Sequence, residues 1–510
     1  MGSSISPLLS ALSAIIGSIM PVSHLRKQSL TVIFCCISSI IPFISLLVRI
    51  PEYVNFICII LIILLFVSCC RSFNGKWKTL TSAIAAASIL WLMWSSICWP
   101  FWNSEFLSGN WGMPFEYTQS PDKMISRKDA KKDLHFAYKN ICKTHPKLKD
   151  SIPQPFKEAF SFANGQIDSS DSISVIGLYA VIQTMAATLH DAHTNVFPRF
   201  KELNQIDLEQ YGNLISVNGM TADSIFIQSR HLYSSETDDF SHLLMLNYLS
   251  LYEYLPLFNL DIDSGIRCSF SNAQGDTAQY IFHKNDYFAN RYELPDVRSQ
   301  TDVSSYAIYD SLDCGYFDIH HFECFLPGKM KAVKSEISSF FDDLTEKHIG
   351  NVIFDVRNNT GGNPKVWHCI INHLTGKHVS YGNGSVRCGP FEFNYKLGFN
   401  CSKDIRNIYD GNVFILTSTL SFSAAMEFAY CLQSNELGKI IGLSPGNTPN
   451  CHTSVFTYCL PESGLRIQVS NHTHVADWPG LVNNRIVPDY ECPSEEAFVK
   501  ALEIIRSQKN

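Results

Sequence analysis

Asn351-Val352-Ile353-Phe354-Asp355-Val356-Arg357-Asn358-Asn359-Thr360-Gly361-Gly362 is the stretch from which the architecture can be read. Val352 to Val356 is a short run of β-branched and aromatic side chains, and it reads as a strand. The glycine pair after it permits unusual φ and close approach of a substrate. A second apolar run, Val413 to Thr417, leads through Thr419-Leu420-Ser421-Phe422-Ser423-Ala424-Ala425 into a helical stretch ending near Leu432. Upstream, a helix expected from about Ser172 ends in Leu189-His190-Asp191-Ala192-His193-Thr194. Across 301–505 such strands alternate with helices ("MKAVKSEISSFFDDL", "SAAMEFAYCL"), which predicts an α/β core.

These three stretches supply a histidine, a glycine turn after a strand and a serine entering a helix. A serine hydrolase needs those parts as base, oxyanion hole and nucleophile. Ser423 at a helix start meets the positive end of the helix dipole. The next amide, that of Ala424, is placed to face a developing oxyanion, and small Ala424 and Ala425 admit a substrate backbone. Each part has a plainer reading. Ser421 or Ser423 at a helix start is commonly a cap. A glycine pair is commonly a turn, and a histidine at a helix end is commonly structural.

The order and spacing of the landmarks resemble the S41 serine peptidases, the family of C-terminal processing (tail-specific) peptidases and the tricorn core protease. The resemblance begins near residue 126, with Lys143-Thr144-His145-Pro146 similar to an early "HP" motif. "DAHT" is similar to "DGHT", and "YFDIHHF" with "NVIFDVRNNTGG" to the strand and glycine motif. "VFILTSTLSFSAAMEFA" is similar to the active-site serine segment, and "IIGLSPGNTPN", "YCLPESGLRI" and "IVPDY" to the last landmarks. The resemblance implies a ClpP/crotonase-like α/β core, Ser423 as nucleophile, and Gly361, Gly362 and the Ala424 amide as oxyanion and substrate-binding groups. It implies no cofactor and no metal.

The base departs from the tail-specific pattern. No lysine lies between Lys439 and Lys500, and Thr448 stands near the place where that family has one. The tricorn branch uses the histidine of the "DGHT"-like motif, which is His193 here; neutral imidazole is a suitable base near pH 7. An acid near the C-terminal "PD" motif serves that branch, but "LVNNRIVPDY" has Asn483 and Asn484 there. Asp191, Asp477 and Asp489 remain candidate orienting acids. The missing lysine leaves a second reading open: a catalytically inactive S41-like binder or sensor for a peptide or apolar ligand.

Charge is distributed unevenly. Of 40 basic and 47 acidic residues in the 510-residue chain, residues 1–102 hold six and one, leaving 34 against 46 beyond. An acidic remainder argues against a nucleic-acid partner, which needs a concentrated basic face. The first hundred residues contain three uncharged runs and predict transmembrane spans near 29–50, 54–70 and 80–102. Trp91, Trp94, Trp99 and Trp102 would mark an interface, and residues 7–22 offer a weaker fourth segment. Arg26 and Lys27, and Arg71, Lys76 and Lys78, place two clusters inside by the positive-inside rule. The expectation is therefore an integral membrane protein in contact with a lipid bilayer, with its peptidase part outside the cytoplasm.

Beyond a linker at 103–125, the expected parts are a helical segment at 126–195, a β-rich, reduced PDZ-like subdomain at 196–300, and the α/β core at 301–505. Eleven of the 17 cysteines fall in this region, with Cys388 and Cys401, or Cys451 and Cys459, as possible disulfide pairs. The absence of any C-x-x-C pair disfavours a zinc ribbon. The expected activity is hydrolysis of a polypeptide substrate.

Overall fold

The structure is a computed structural model of the chain. It describes residues 76–97 and 117–508, apart from 273–274, 292–302, 325–326, 403–404 and 406–407, together with single residues 60 and 63. The chain divides into two compact units, Met1–Asn103 and Ser104–Asn510.

In the first unit, helix α1 covers Lys76–Ile97. Ten of its 22 residues are Ala, Ser or Thr and two are Lys. Lack of charge is not the same as hydropathy, because small and hydroxyl side chains add little transfer free energy. Among the described residues no helix is long and apolar enough to cross a membrane. This overturns the expected N-terminal transmembrane helices. The integral-membrane localisation, the extracytoplasmic placement and the bilayer contact rested on those spans and fall with them. The runs expected at 29–50 and 54–70 lie, except for residues 60 and 63, outside the described residues, as does 7–22.

In the second unit, β1 (Met124–Ser126) pairs antiparallel with β2 (Ser172–Ser174), enclosing α2 (Arg127–Thr144) and α3 (Gln154–Asp168); α4 (Val175–Ala187) follows. Ser126 caps α2 by accepting the Asp129 N–H at 3.2 Å. Ala130, Leu134, Ala137 and Ile141 recur along its buried face. Next come β3 (Asn195–Phe197), β4 (Glu202–Gln205), β5 (Asn213–Val217), β6 (Met220–Thr221), α5 (Ala222–Ser229) and α6 (Asp238–Leu249). β5 and β6, with β7 (Ile266–Ser271) and β8 (Thr277–Phe282), form a four-stranded antiparallel sheet ordered β6-β5-β7-β8. Its core is Val217, Cys268, Phe270 and Phe282 packed with Ile225, Phe226 and Met245 of the two helices. β9 (Phe288–Arg291) pairs with β4.

The remaining elements are β10 (Ser304–Tyr309), β11 (Cys314–Ile319), α7 (Pro327–Glu346), β12 (Asn351–Asp355), α8 (Lys365–Leu374), β13 (His378–Cys388) and β14 (Phe391–Asn400). They continue as β15 (Asn412–Thr417), α9 (Ala424–Ser434), β16 (Lys439–Gly442), β17 (Cys451–Cys459), β18 (Arg466–Val475), β19 (Tyr490–Glu491) and α10 (Ala497–Ser507). A six-stranded sheet runs β10-β11-β12-β15-β16-β19, parallel throughout except for β10. Every residue of β12 is buried. Val352 and Phe354 face Phe340, Trp367 and Phe428 of α7, α8 and α9. Ile353, with Phe414, Leu416 and Ile441, packs on Ala497, Ala501 and Ile505 of α10. Helices on both faces explain why these strands carry apolar residues at successive positions.

β12 and β15 are neighbours, with Asp355 opposite Leu416, so the loops after them leave the same edge of the sheet together. In open α/β sheets that edge, outside the C-terminal ends of the strands, is where ligands bind. A second sheet, ordered β14-β13-β18-β17, receives β3 alongside β18 through Asn195 opposite Gln468. This pairing anchors the chain just after His193. None of the eleven described cysteines forms a disulfide, so neither Cys388–Cys401 nor Cys451–Cys459 is made.

Trp367 is fully buried against Tyr381, Phe399 and Phe428. Trp367→Ala is expected to cost about 3–5 kcal/mol of unfolding free energy by cavity formation. Val499→Ala on exposed α10 surface should change it by less than about 0.5 kcal/mol. Urea denaturation of the two variants checks the contrast; equal effects would misplace the core.

Candidate active site

Three segments build the site. The first is the turn after α4, where His190 adopts φ 52° and the chain folds back on itself. The Asp191 carboxylate organises this turn. Its Oδ1 accepts the His193 N–H at 3.0 Å, and its Oδ2 accepts the Thr194 hydroxyl at 2.6 Å. Oδ2 also meets His145 Nε2 at 3.0 Å. The Lys147 N–H donates to His145 Nδ1 at 3.2 Å, so the neutral ring carries its proton on Nε2 and donates it to Asp191. Both side chains are wholly buried. Burial pushes the Asp191 carboxyl up, but the hydrogen bond from His145 and the neighbouring imidazoles outweigh it and hold it below the usual carboxylate range. His145 therefore gives the "HP" landmark a physical role that the sequence reading did not assign.

His193 follows at the mouth of this turn. Its ring packs against Phe422 at 4.6 Å between centroids, the planes tilted by 39°, and its side chain is only 10% exposed. Among the described residues neither ring nitrogen has a hydrogen-bond partner, Ser423 included. Nδ1 lies 4.0 Å from Asp191 Oδ1, beyond hydrogen-bond range. Burial lowers the His193 pKa below its ordinary value, and the charges of Asp191 and Glu427 oppose that shift. A cavity of about 360 Å³ opens beside the ring. Leu244, Tyr248, Phe240 and Phe422 give it apolar walls, and Asn195, Asn247 and Gln468 give it polar ones.

The second segment is the turn from β15 into α9. Ser421 is committed to the fold: its hydroxyl donates to Val356 O at 2.7 Å and accepts the Ser418 N–H at 3.0 Å. The Phe422 N–H donates to Asn359 O at 3.0 Å, and the Ser423 N–H to Asn447 Oδ1 at 2.9 Å. Ser423 stands at φ 54°, ψ −120° and makes no capping bond to α9. That backbone conformation costs a non-glycine residue about 1–3 kcal/mol and is characteristic of functional turns. The plain reading of a helix cap thus does not describe Ser423.

The third segment is the glycine pair after β12. Gly361 lies at φ 104°, and a Cβ there would meet Ser423 Cβ at 2.7 Å and Phe422 O at 2.9 Å. Its N–H is taken by Asn359 Oδ1 at 2.8 Å. Gly362, at φ 130°, bridges Phe322, which donates to Gly361 O and accepts from Asn363. In a parallel bridge of that pattern the Gly362 amide points away from Phe322. Among the described residues no hydrogen bond outside regular structure engages the N–H of Gly362 or of Ala424.

Asp489 accepts from Lys439, Gln433 and the Ile440 N–H, which fixes it to the sheet edge. Asp477 is exposed near Tyr430. Of the three candidate acids, only Asp191 stands beside His193. The two departures from the family pattern meet each other: Asn484 Nδ2 donates to Thr448 Oγ1 at 3.0 Å. A neutral contact joins the positions where a lysine and an acid are expected.

Two further groups were not singled out from sequence. Glu427, one turn into α9, donates its N–H to Ser423 O and pairs its carboxylate with His474 Nδ1 at 2.8 Å. The His472-Thr473-His474 alternation along β18 was its only signal, since period two puts both imidazoles on one face. Glu236, before α6, has both carboxylate oxygens buried without partners. Burial first, and the Asp191 charge second, push it up to about 8. Nothing in its sequence surroundings marked it.

Residues 313–492 match the model of peptidase family S41. No curated protein sequence matches the chain. Among solved structures, mature CPAF complexed with lactacystin is 13% identical with a TM-score of 0.53, covering 75% of this chain and 98% of that chain. Mature CPAF alone is also 13% identical with a TM-score of 0.53, covering 74% and 96%. At these identities the likeness is one of fold. The domain is that of a serine-type hydrolase acting on polypeptides. Residues 313–492 form a peptidase family S41 domain.

Burial pushes His368, His452 and His472 each down to about 4. The unfolded chain protonates them near 6.5, so below that pH it binds more protons than the folded state. Their contribution is fully present above about pH 6.5 and is lost as pH falls towards 4. Thermal melts should therefore show Tm nearly level above neutrality and falling through this window. A Tm that rises on acidification would contradict the burial of these rings.

Proposed function

We propose that Ser423 is the nucleophile of this peptidase and His193 its general base. The observation that carries this is the Ser423 turn. A non-glycine residue is held at positive φ with its hydroxyl uncommitted, against a glycine that leaves no room for a side chain. Ser423 attacks the peptide carbonyl, His193 takes its proton and then donates it to the leaving amine, and water resolves the acyl-enzyme. The Ala424 and Gly362 amides receive the oxyanion. Gly361 acts by shape, since its own N–H is used by Asn359.

Asp191 serves as the orienting group through the backbone of its turn and its charge. His145 and Thr194 hold that carboxylate in place. Ser423 and His193 close into a hydrogen bond when substrate is present, as catalytic bonds commonly tighten on binding. The cavity beside His193 suits an apolar side chain near the scissile bond.

Fluorophosphonate labelling tests the assignment. Wild type should label, and Ser423→Ala should not; labelling that survives in Ser423→Ala would place the nucleophile elsewhere. Lactacystin, bound by mature CPAF, is a second probe. Gly361→Ala should slow labelling by about 10²-fold, because its Cβ would displace Ser423 and crowd the oxyanion. A rate equal to wild type would remove that role.

The pH dependence follows from the burial of His193. The base is active when neutral, and its pKa is lowered, so the acid limb of the labelling rate should lie below the ordinary histidine value of about 6.5. The Asp191 charge opposes that lowering, so Asp191→Asn should move the limb further down. A limb above 6.5, or one indifferent to Asp191, would point to a different base.

A further inference from the structure

We propose that Asp191, His193 and Glu236 form a binding site for a divalent transition-metal ion of the Zn²⁺ type, and that its occupation silences His193. Their ligand atoms lie within 4.8 Å of one another. His193 Nδ1 and Asp191 Oδ1 are 4.0 Å apart, too far to share a proton. Two ligands of a tetrahedral Zn²⁺, each about 2.0–2.2 Å from the ion, lie about 3.4 Å apart, so a side-chain shift of about half an ångström closes the gap around an ion.

Counting lone pairs points the same way. Asp191 Oδ2 is filled by His145 and Thr194, whereas Oδ1 accepts only the His193 N–H and keeps one lone pair. Among the described residues no hydrogen bond of ordinary geometry reaches the buried His193 nitrogens or Glu236 oxygens, although backbone groups of His452, and of Glu236 and Ala192, stand near them. Buried polar atoms are normally paired, and four unpaired ones in one place call for a partner they share. A proton on Glu236 would satisfy at most one neighbour. A cation satisfies one atom from each of the three side chains.

The donor set of one imidazole and two carboxylates suits Zn²⁺, with a fourth position left for water. The supporting shell is already built. His145 fixes the Asp191 carboxylate, and Ser234 Oγ holds the Asp191 carbonyl at 2.6 Å. With the ion on Nδ1, the neutral ring carries its one proton on Nε2 and has no lone pair left for a serine proton. The metal therefore competes with the base. This second half rests on the reading of His193 as base; the binding site itself does not.

Zn²⁺ binding to the purified full chain is measured by competition with a fluorescent chelator, and in parallel the fluorophosphonate labelling rate is followed with and without Zn²⁺. Wild type should bind one tight Zn²⁺, with affinity falling at least about 10-fold in both Glu236→Gln and His193→Ala. His474→Gln, outside the trio, should keep the tight site. Added Zn²⁺ should slow labelling of wild type but not of Glu236→Gln. Tight binding retained in both Glu236→Gln and His193→Ala, no tight binding in wild type, or Zn²⁺ bound there with labelling unaffected would overturn the proposal. Tight Zn²⁺ binding by a wild type that never labels would count against the peptidase assignment of Ser423 and leave the metal site standing.

Discussion

A single buried carboxylate, that of Asp191, ties together three distant stretches of the chain. Through His145 it holds the end of α2, through Thr194 it holds the start of β3, and through the His193 amide it sets the turn between them. Ser234 adds the segment before α6 by bonding the Asp191 carbonyl. A buried anion is costly unless its lone pairs are filled. Here three donors fill three of them, so the carboxylate can stay ionised where burial alone would protonate it. Removing any donor would leave a buried charge short of a partner, and the loss would be felt at His193 rather than at the site of the change.

The serine turn has a different kind of support. β12 and β15 run side by side, so the loops after them are forced together. Asn359 is the clamp between them. Its carbonyl accepts from Phe422, its Oδ1 accepts from Gly361, and its Nδ2 donates to Ile319 O at 2.9 Å. Ser421 completes the clamp by bonding Val356 O. The unfavourable backbone angles of Ser423 are over-determined by these bonds on either side, which is the condition under which such strain persists. Gly361 is required because Ser423 occupies the space its Cβ would need.

What the sequence made legible follows from locality. The Val352–Val356 and Val413–Thr417 runs, the glycine pair and the serine before a helix are short-range patterns, and each appears where its residues predicted. The Ser126 cap and the face of α2 were legible for the same reason. The span expected at 80–102 was misjudged because absence of charge was taken for hydropathy, while α1 is diluted by Ala, Ser and Thr. Only the family resemblance separated Ser423 from Ser421 in sequence; the bonds that distinguish their surroundings come from Val356 and Asn447, far away in the chain. Glu236 and the His145–Asp191 bond were invisible for that reason too. They join segments separated by loops whose closure no local pattern reports.

The replacement of charges by neutral groups bears on how the site works. Thr448 and Asn484 are hydrogen-bonded where the family resemblance would place a lysine and an acid. Their contact carries no charge into the neighbourhood of Ser423. What remains near the serine is a set of partly desolvated imidazoles with two carboxylates, Asp191 and Glu427, set among them. Burial lowers the pKa of such rings, so they are neutral and basic at pH values where an amine base would still hold its proton. The same change leaves nitrogen and oxygen ligands, rather than an ammonium group, facing the site. On the reading of His193 as base, a peptidase that runs on a neutral imidazole is open to control by a cation, whereas one that runs on a lysine would repel it.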